Sequence, residues 1–212
     1  MASLNQKKTP VGAPILEWSV AALAMPGEKV SGDTQLVETF PNGALVAVVD
    51  GLGHGSEAAL AARNAVEIMK AHPLESVIPL LNRCHENLRT TRGVVLSMAS
   101  FNAVDGTLTW LGVGNVEGML FRHDSDEKTT YESLLSRRGV VGGRLPPLHA
   151  GILPVTPGDT LIFATDGIRS GFESNLSLRA SPKEIADRIL AQHNMETDDA
   201  LVLVARYIGN TQ

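Results

Sequence analysis

The sequence contains a single cysteine, Cys84. One cysteine cannot form a disulfide within the chain, and this usage is typical of a protein kept in a reducing compartment. The neighbouring residues have the spacing of a helix, so we interpret Cys84 as a small buried residue of that helix rather than as a reactive thiol.

Long hydrophobic runs are also absent. The longest, such as residues 45–49 and 201–205, fall far short of the roughly 20 residues that a membrane-spanning helix requires. The N-terminal sequence MASLNQKKTP has two lysines, but no apolar stretch of a secretory signal follows. We therefore expect a cytoplasmic protein without a membrane partner, in which residues 1–12 form a flexible tail.

An excess of positive charge is missing as well. The chain has 18 Lys and Arg against 23 Asp and Glu, a formal net charge of −5, and no basic cluster. This balance argues against a nucleic-acid partner, which requires a basic face. In 212 residues of 43% hydrophobic composition we find no repeat and no linker, so residues 13–209 are expected to form one domain.

The hydrophobic pattern alternates between strand and helix periods along the chain. Strands are predicted at 15–25, 34–40, 44–49, 94–104, 107–113, 117–122, 137–142, 151–155, 160–164 and 200–207. Helices are predicted at 56–71 and 74–90, and a third begins at the capping box of Ser181 and Glu184. The polar residues 123–136 are expected to be an exposed hairpin loop or an irregular insert.

The strands at 94–122 follow one another without intervening helices. Such an order favours antiparallel over parallel pairing, because parallel strands need long crossover connections. We therefore predict an α+β fold in which two packed antiparallel β-sheets, a β-sandwich, are flanked by α-helices.

Aspartates stand at the ends of four of the predicted buried strands. Asp33 precedes the second strand, Asp50 follows the third, Asp166 follows the strand at 160–164, and Asp198 and Asp199 precede the last. Carboxylates that converge in a partly buried place repel one another unless a cation compensates them. Oxygen ligands alone favour Mg²⁺ or Mn²⁺.

Each of these motifs taken singly is typical of a turn. An Asp-Gly pair is most often a tight turn, as we predict for Asp105-Gly106, and Asp198-Asp199 is typical of a solvated cap. Spacing alone leaves a metal site and a set of structural turns equally open.

Four segments in this order resemble the PPM (PP2C-like) phosphatases. They are Ser31-Gly32-Asp33, Val49-Asp50-Gly51-Leu52-Gly53-His54-Gly55, Ala164-Thr165-Asp166-Gly167-Ile168 and residues 198–204. The resemblance is strongest to the bacterial branch typified by SpoIIE and by the stand-alone Rsb-type phosphatases that act on phosphorylated stressosome proteins. It extends over about residues 15–208.

This resemblance implies a four-layer αββα fold and a metal-dependent protein serine/threonine phosphatase with two divalent cations, Mn²⁺ or Mg²⁺. Asp33 and the Gly51 carbonyl would bind the first cation, Asp50 would bridge both, and Asp166 and Asp198 would bind the second. Asp33 and Asp50 would then be catalytic through a metal-bound water. The substrate would be a phosphoserine or phosphothreonine protein, with STAS-domain stressosome components as the predicted partners.

Two positions depart from the family pattern. Eukaryotic members have a histidine directly after the Asp-Gly pair, whereas this chain has Leu52 there and His54 two residues later. A family aspartate that helps to hold a third metal corresponds to Asn115, so a third site is expected to be weak or absent. His54 and Arg169 are the candidate substrate-binding residues, although either could have a purely structural role.

Two other functions remain open on the sequence. A PPM-like fold could bind a partner without hydrolysis, although such members usually lose metal ligands and none is missing here. The same site could also hydrolyse a small phosphomonoester.

Overall fold

The computed structural model describes residues 14–123 and 130–209. The strands are β1 Leu16–Leu23, β2 Asp33–Phe40, β3 Gly43–Gly51, β4 Val94–Asn102, β5 Thr107–Val113, β6 Glu117–Phe121, β7 Tyr131–Leu134, β8 Gly151–Pro154, β9 Thr160–Ala164 and β10 Ala200–Tyr207. The helices are α1 Ser56–Ala71, α2 Val77–Leu88 and α3 Pro182–His193, with a short 3-10 helix at Phe172–Asn175.

The strands form two five-stranded antiparallel sheets. The first sheet has the order β1-β10-β9-β6-β7 and the second has the order β2-β3-β4-β5-β8. The two sheets enclose a common core; α1 and α2 cover the outer face of the second sheet, and α3 covers that of the first. The predicted α+β sandwich of four αββα layers is confirmed.

β3 shows why its sequence is apolar without alternation. Successive side chains of a strand point to opposite faces. Val46 and Val48 lie in the core between the sheets, whereas Leu45, Ala47 and Val49 pack against the helices. Every residue from 43 to 49 is therefore buried, and the strand presents its next residue, Asp50, at the edge of a closed core.

The helices begin and end close to the predicted positions. α1 spans the predicted residues 56–71, and its buried face is rich in alanine, which lets the helix lie close to the second sheet. α3 is capped by Ser181, the residue before its start, whose side chain accepts a hydrogen bond from the Glu184 amide while the Glu184 carboxylate accepts one from the Ser181 amide. Both features follow from local sequence.

Two predictions in the second half of the chain are wrong. No strand forms at 137–142 among the described residues, where only isolated bridges occur at Arg137 and Val141. Gly142 has a φ of +92°, a conformation outside the extended range, and it turns the chain out of strand geometry. The predicted loop at 123–136 contains β7, which pairs with β6 to form a hairpin.

Some predictions concern residues outside the described ranges. The predicted tail at 1–12 lies there, as does part of the polar segment at 123–136, and the domain limits of 13–209 stay a prediction. Among the described residues the longest helix, α1, has 16 residues, and none is long and apolar enough to cross a membrane.

Candidate metal centre

Asp33 and Asp50 lie directly opposite each other on adjacent strands. Asp33 begins β2 and pairs in register with Asp50 near the end of β3. Asp33 is only 8% exposed, and Asp50 is half-buried. Like charges at directly opposed positions of antiparallel strands are destabilising, so this pair has an electrostatic cost that the surrounding residues must offset.

Thr165 connects this pair to the other sheet. Its Oγ1 donates to Asp33 Oδ2 at 2.7 Å and accepts from the Leu201 amide at 2.8 Å. Leu201 belongs to β10 of the first sheet, so one hydroxyl joins the two layers at the site. Thr165 was not among the predicted functional residues, although it lies within the Ala164-Thr165-Asp166 motif.

Asp166, Asp198 and Asp199 reach the same edge from the first sheet. β9 and β10 pair antiparallel, so the end of one strand meets the beginning of the other. Asp166 Oδ2 accepts a hydrogen bond of 2.6 Å from Asn115 Nδ2. Asn115, which occupies the position that the resemblance associates with a third metal, therefore already hydrogen-bonds to Asp166 through its side-chain amide.

The neighbouring acids differ in what they bind. Both carboxylate oxygens of the buried Asp199 accept backbone amides, that of Met25 at 2.8 Å and that of Gly32 at 2.7 Å. Asp198 is exposed, and only its Oδ1 is engaged, by the Asp199 amide at 2.8 Å. Asp199 thus ties down the loop between β1 and β2, whereas Asp198 keeps an oxygen available.

The carboxylates perturb one another. Burial, and to a lesser degree the charges of Asp199, Asp166 and Asp198, raise the pKa of Asp33 to about 7, although the Thr165 hydrogen bond opposes the shift. Burial and then the charge of Asp33 raise the pKa of Asp50 to about 8. Burial and the charge of Asp198 raise the pKa of Asp166, and the hydrogen bond from Asn115 partly offsets this.

No cationic side chain compensates this charge among the residues at 14–123 and 130–209. None of their ion pairs involves one of the five clustered aspartates. A bound divalent cation would reverse the sign of these shifts, because it favours the ionised form of every ligand. The all-oxygen donor set suits Mg²⁺ or Mn²⁺.

The described residues contain no group of three acidic, histidine or cysteine side chains already assembled at metal-ligand spacing. The hydrogen bonds that these aspartates accept come from Thr165, Asn115 and backbone amides. A bound divalent cation would relieve the mutual repulsion of the carboxylates.

Gly51 brings the backbone of the site close to α1. A Cβ at this position would lie 2.1 Å from the backbone oxygen of Ala58. The Gly51 amide donates to the Gly32 carbonyl at 3.1 Å, so the segments that bear Asp33 and Asp50 are joined beside the site. Only glycine fits in this position.

The two predicted substrate-binding residues lie in different surroundings. Arg169 is exposed, makes no ion pair within the described part of the chain, and borders a depression of about 430 Å³ that Asp166 and Asn115 also line. His54 is exposed in the loop before α1, with Nδ1 2.7 Å from Glu28 Oε1. Local sequence does not indicate this partner, because Glu28 and His54 are 26 positions apart.

Comparisons with known proteins agree with this architecture. Phosphoserine phosphatase RsbX of Bacillus subtilis (strain 168) is 26% identical over 184 residues, which are 85% of this chain and 89% of that protein. A solved structure described as "The bacterial stressosome: a modular system that has been adapted to control secondary messenger signaling" is 28% identical with a TM-score of 0.81, covering 90% of this chain and 99% of that one.

Two metal complexes share the fold. RsbX in complex with magnesium has a TM-score of 0.80 at 22% identity, covering 91% of this chain and 95% of that one. The catalytic domain of the serine/threonine phosphatase PstP with two manganese ions has a TM-score of 0.70 at 14% identity, covering 91% of this chain and 98% of that one. The family model of stage II sporulation protein E (SpoIIE) matches residues 41–208, and this chain belongs to the SpoIIE family.

Proposed function

We propose that this chain is a metal-dependent protein serine/threonine phosphatase. The observation that carries the proposal is the group of aspartates at the edge shared by both sheets, where burial and mutual repulsion raise the pKa values of Asp33 and Asp50. Although Asp199 also holds a loop through backbone amides, no basic side chain of the described residues is paired with any of these acids. The membership of the chain in the SpoIIE family and its similarity to a phosphoserine phosphatase also support metal-dependent hydrolysis of a phosphate ester.

The chain would hold two divalent cations, Mn²⁺ or Mg²⁺. Asp33 and the Gly51 carbonyl would bind the first, Asp50 both, and Asp166 and Asp198 the second. Such cations neutralise charge on a phosphoryl group and lower the pKa of water toward neutrality. The complexes of RsbX with magnesium and of PstP with two manganese ions are consistent with this choice.

Neighbouring polar side chains orient the carboxylates that would bind these cations. Thr165 orients Asp33 through its hydrogen bond to Oδ2, and the Oδ1 atom of Asp33 would remain available to a cation. Asn115 orients Asp166 in the same way. Cys84 has no role in this chemistry, because it is buried on α2 and burial raises the pKa of its thiol to about 12, so no thiolate nucleophile is available.

The simplest test is hydrolysis of p-nitrophenyl phosphate and of a phosphoserine peptide with Mn²⁺, with Mg²⁺ and with EDTA. We expect turnover with either metal and none with EDTA, and restoration when excess Mn²⁺ is added back. An EDTA-resistant rate would exclude the mechanism. Faster turnover of small phosphate esters than of any phosphoprotein would instead identify a small-molecule phosphatase.

We further propose that the substrate is a phosphorylated STAS-domain component of a stressosome. The basis is similarity to RsbX and to the chain from a stressosome study. Incubation of such a phosphoprotein with the metal-loaded enzyme should release inorganic phosphate and shift its intact mass. An unchanged mass under conditions that hydrolyse p-nitrophenyl phosphate would reject these partners without affecting the proposed chemistry.

Asp198 and Asp199 provide a matched pair of substitutions. Asp199→Ala should lower the free energy of unfolding of the metal-free protein by about 2 kcal/mol, because it leaves the Met25 and Gly32 amides without their acceptor. Asp198→Ala should leave that stability within about 0.5 kcal/mol, since the side chain is exposed, yet should abolish Mn²⁺-dependent turnover. Urea unfolding in EDTA and an activity assay measure the two effects. The opposite pattern would reassign the ligand to Asp199.

Arg169 is proposed to contact the substrate phosphoryl group. Arg169 makes no ion pair among the described residues, and it lines the same depression as Asp166. Arg169→Ala should raise the KM for p-nitrophenyl phosphate roughly tenfold, since a charge-assisted hydrogen bond contributes about 1.5 kcal/mol. Arg179→Ala is the control, because Arg179 is also exposed and makes no ion pair at residues 14–123 and 130–209. Equal KM values for both variants would contradict the role. A substrate contact by His54 stays a prediction.

A further inference from the structure

Three arginines are concentrated on one loop of this acidic protein. Residues 136–147, here called the arginine loop, connect β7 to the segment before β8 and contain Arg137, Arg138 and Arg144. All three side chains are exposed. Within the described part of the chain, none of them forms an ion pair, although the chain as a whole has a net charge of −5.

The backbone of the arginine loop is held in place along its length. Arg137 accepts from the Gly114 amide at 2.8 Å and donates to the Gly112 carbonyl at 3.1 Å. Val141 exchanges two hydrogen bonds with Val94, and the Gly142 amide donates to His85 Nδ1 at 3.0 Å. The guanidinium groups are therefore carried on an ordered backbone, which reduces the entropy cost of binding a partner.

The arginine loop closes on itself around a shallow apolar pocket. The Val140 amide donates to the Arg144 carbonyl at 2.9 Å. The pocket, of about 580 Å³, is lined by two arginines and five apolar residues: Arg138, Gly139, Val140, Arg144, Leu145, Pro146 and Pro147. It therefore combines an apolar lining with two positive charges that have no ion-pair partner among the described residues.

The first half of the arginine loop lies beside segments of the candidate metal centre. At one end, Ser136 Oγ donates to the Gly114 carbonyl at 2.6 Å, and the next residue, Asn115, donates to Asp166. Four residues further on, the Val140 side chain lies close to Gly93, whose carbonyl accepts the Leu52 amide at 3.2 Å. Arg137 and Arg138 lie between these two contacts, so a substrate segment bound at the metal centre would extend along this part of the arginine loop.

We propose that the arginine loop binds acidic residues that flank the phosphorylated residue of the protein substrate. The proposal rests on the proposed phosphatase function and adds a preference for substrate sequence. Clustered, unpaired guanidinium groups favour carboxylates, which they bind in bidentate geometry. The negative net charge of the remaining surface disfavours nucleic acid, whose binding requires a broad basic face.

The test compares two phosphopeptides of equal length, one with glutamates on both sides of the phosphoserine and one with glutamines. The metal-loaded enzyme should have a higher kcat/KM for the glutamate peptide. The triple variant Arg137→Ala/Arg138→Ala/Arg144→Ala should lose roughly tenfold in kcat/KM on the glutamate peptide, because exposed ion pairs contribute little individually but add over three sites. Its rates on the glutamine peptide and on p-nitrophenyl phosphate should be unchanged.

The matched control is Arg63→Ala/Arg179→Ala/Arg188→Ala, which removes the same charge from exposed arginines elsewhere. It should keep the preference for glutamate. The proposal is overturned if the wild-type protein treats both peptides alike, or if the control loses as much as the triple variant. Equal losses on both peptides would also overturn it, because the arginines would then contact the phosphate itself.

Binding of the unphosphorylated peptides separates this proposal from the proposed function. In fluorescence anisotropy at low salt, the wild-type protein should bind the glutamate peptide more tightly than the glutamine peptide, and salt should remove the difference by screening. This preference should be present even if the protein hydrolyses no phosphate ester. Preferential binding of a single-stranded oligonucleotide of equal charge would reject a peptide as the partner.

Discussion

Replacing Asp50 by asparagine is expected to lower the rate of metal-dependent hydrolysis of p-nitrophenyl phosphate at least about a hundredfold. Substituting a residue that only hydrogen-bonds to a metal ligand already lowers activity about 10- to 100-fold, and Asp50 is proposed to bind the metals directly. Asp50 is the one residue proposed to bind both cations, and asparagine keeps its shape while removing its charge. The loss should therefore appear in kcat and should not be recovered by adding more Mn²⁺.

The same substitution should not weaken the metal-free fold. Asp50 lies opposite Asp33, and burial together with that neighbouring charge raises its pKa to about 8. A neutral side chain removes this repulsion, so urea unfolding in EDTA at pH 8 should give a stability equal to or greater than that of the wild-type protein. Loss of activity with retained stability distinguishes a ligand from a structural residue.

Asp105→Asn is the appropriate control for this experiment. Asp105 lies in the turn between β4 and β5, where its Oδ2 accepts from Asn102 Nδ2 at 2.6 Å, and it has no place in the proposed metal centre. The control should retain full activity. If Asp50→Asn is as active as Asp105→Asn, the proposed bridging role is wrong.

The metal-free protein is expected to lose stability as the pH rises from 5 to 8. The pKa values of Asp33 and Asp50 are raised from 3.8 to about 7 and about 8 in the folded state. In this interval the folded state binds more protons than the unfolded state, so the free energy of unfolding falls with pH. The decrease should reach at least about 3 kcal/mol, since each pKa unit corresponds to about 1.4 kcal/mol.

Saturating Mn²⁺ should reverse this dependence. Carboxylates must be ionised to bind a cation, so metal affinity rises with pH and the folded state gains the binding free energy. Urea unfolding at pH 5, 6, 7 and 8 with EDTA or Mn²⁺ measures both curves. The double variant Asp33→Asn/Asp50→Asn should give nearly flat curves in this range. A wild-type curve in EDTA that is equally flat would show that the two carboxylates are not perturbed.

Much of the fold could be predicted because it depends on local patterns. α1 and the strands β5, β9 and β10 occur at the predicted residues, since each has either a clear helical period or a continuous apolar run between turn residues. The capping box at Ser181 is equally local. By contrast, the strand predicted at 137–142 does not form. Its residues make only isolated bridges, and Gly142 has a positive φ that ends the extended conformation.

The candidate site likewise has features that the local sequence predicts and features that it does not. That aspartates stand at the ends of buried strands can be read from neighbouring residues, and the order of the four motifs indicates the family. The hydrogen bond from Thr165 to Asp33 joins residues 132 positions apart, and no local pattern indicates it. Likewise, nothing in Asp198-Asp199 reveals that the second acid binds the amide of Met25, 174 positions away.

The amino-acid sequence by itself thus determined the layers of this protein, the acidic strand ends and the family to which the chain belongs, because period, turn chemistry and motif order are properties of neighbouring residues. Only the tertiary structure decided which of the two neighbouring acids accepts amides from a remote loop, that Asp33 and Asp50 are directly opposed, and that three exposed arginines occupy one loop that contacts the segment before Asn115. Those properties depend on burial and on distances between remote parts of the chain, which exist only once the two sheets have packed together.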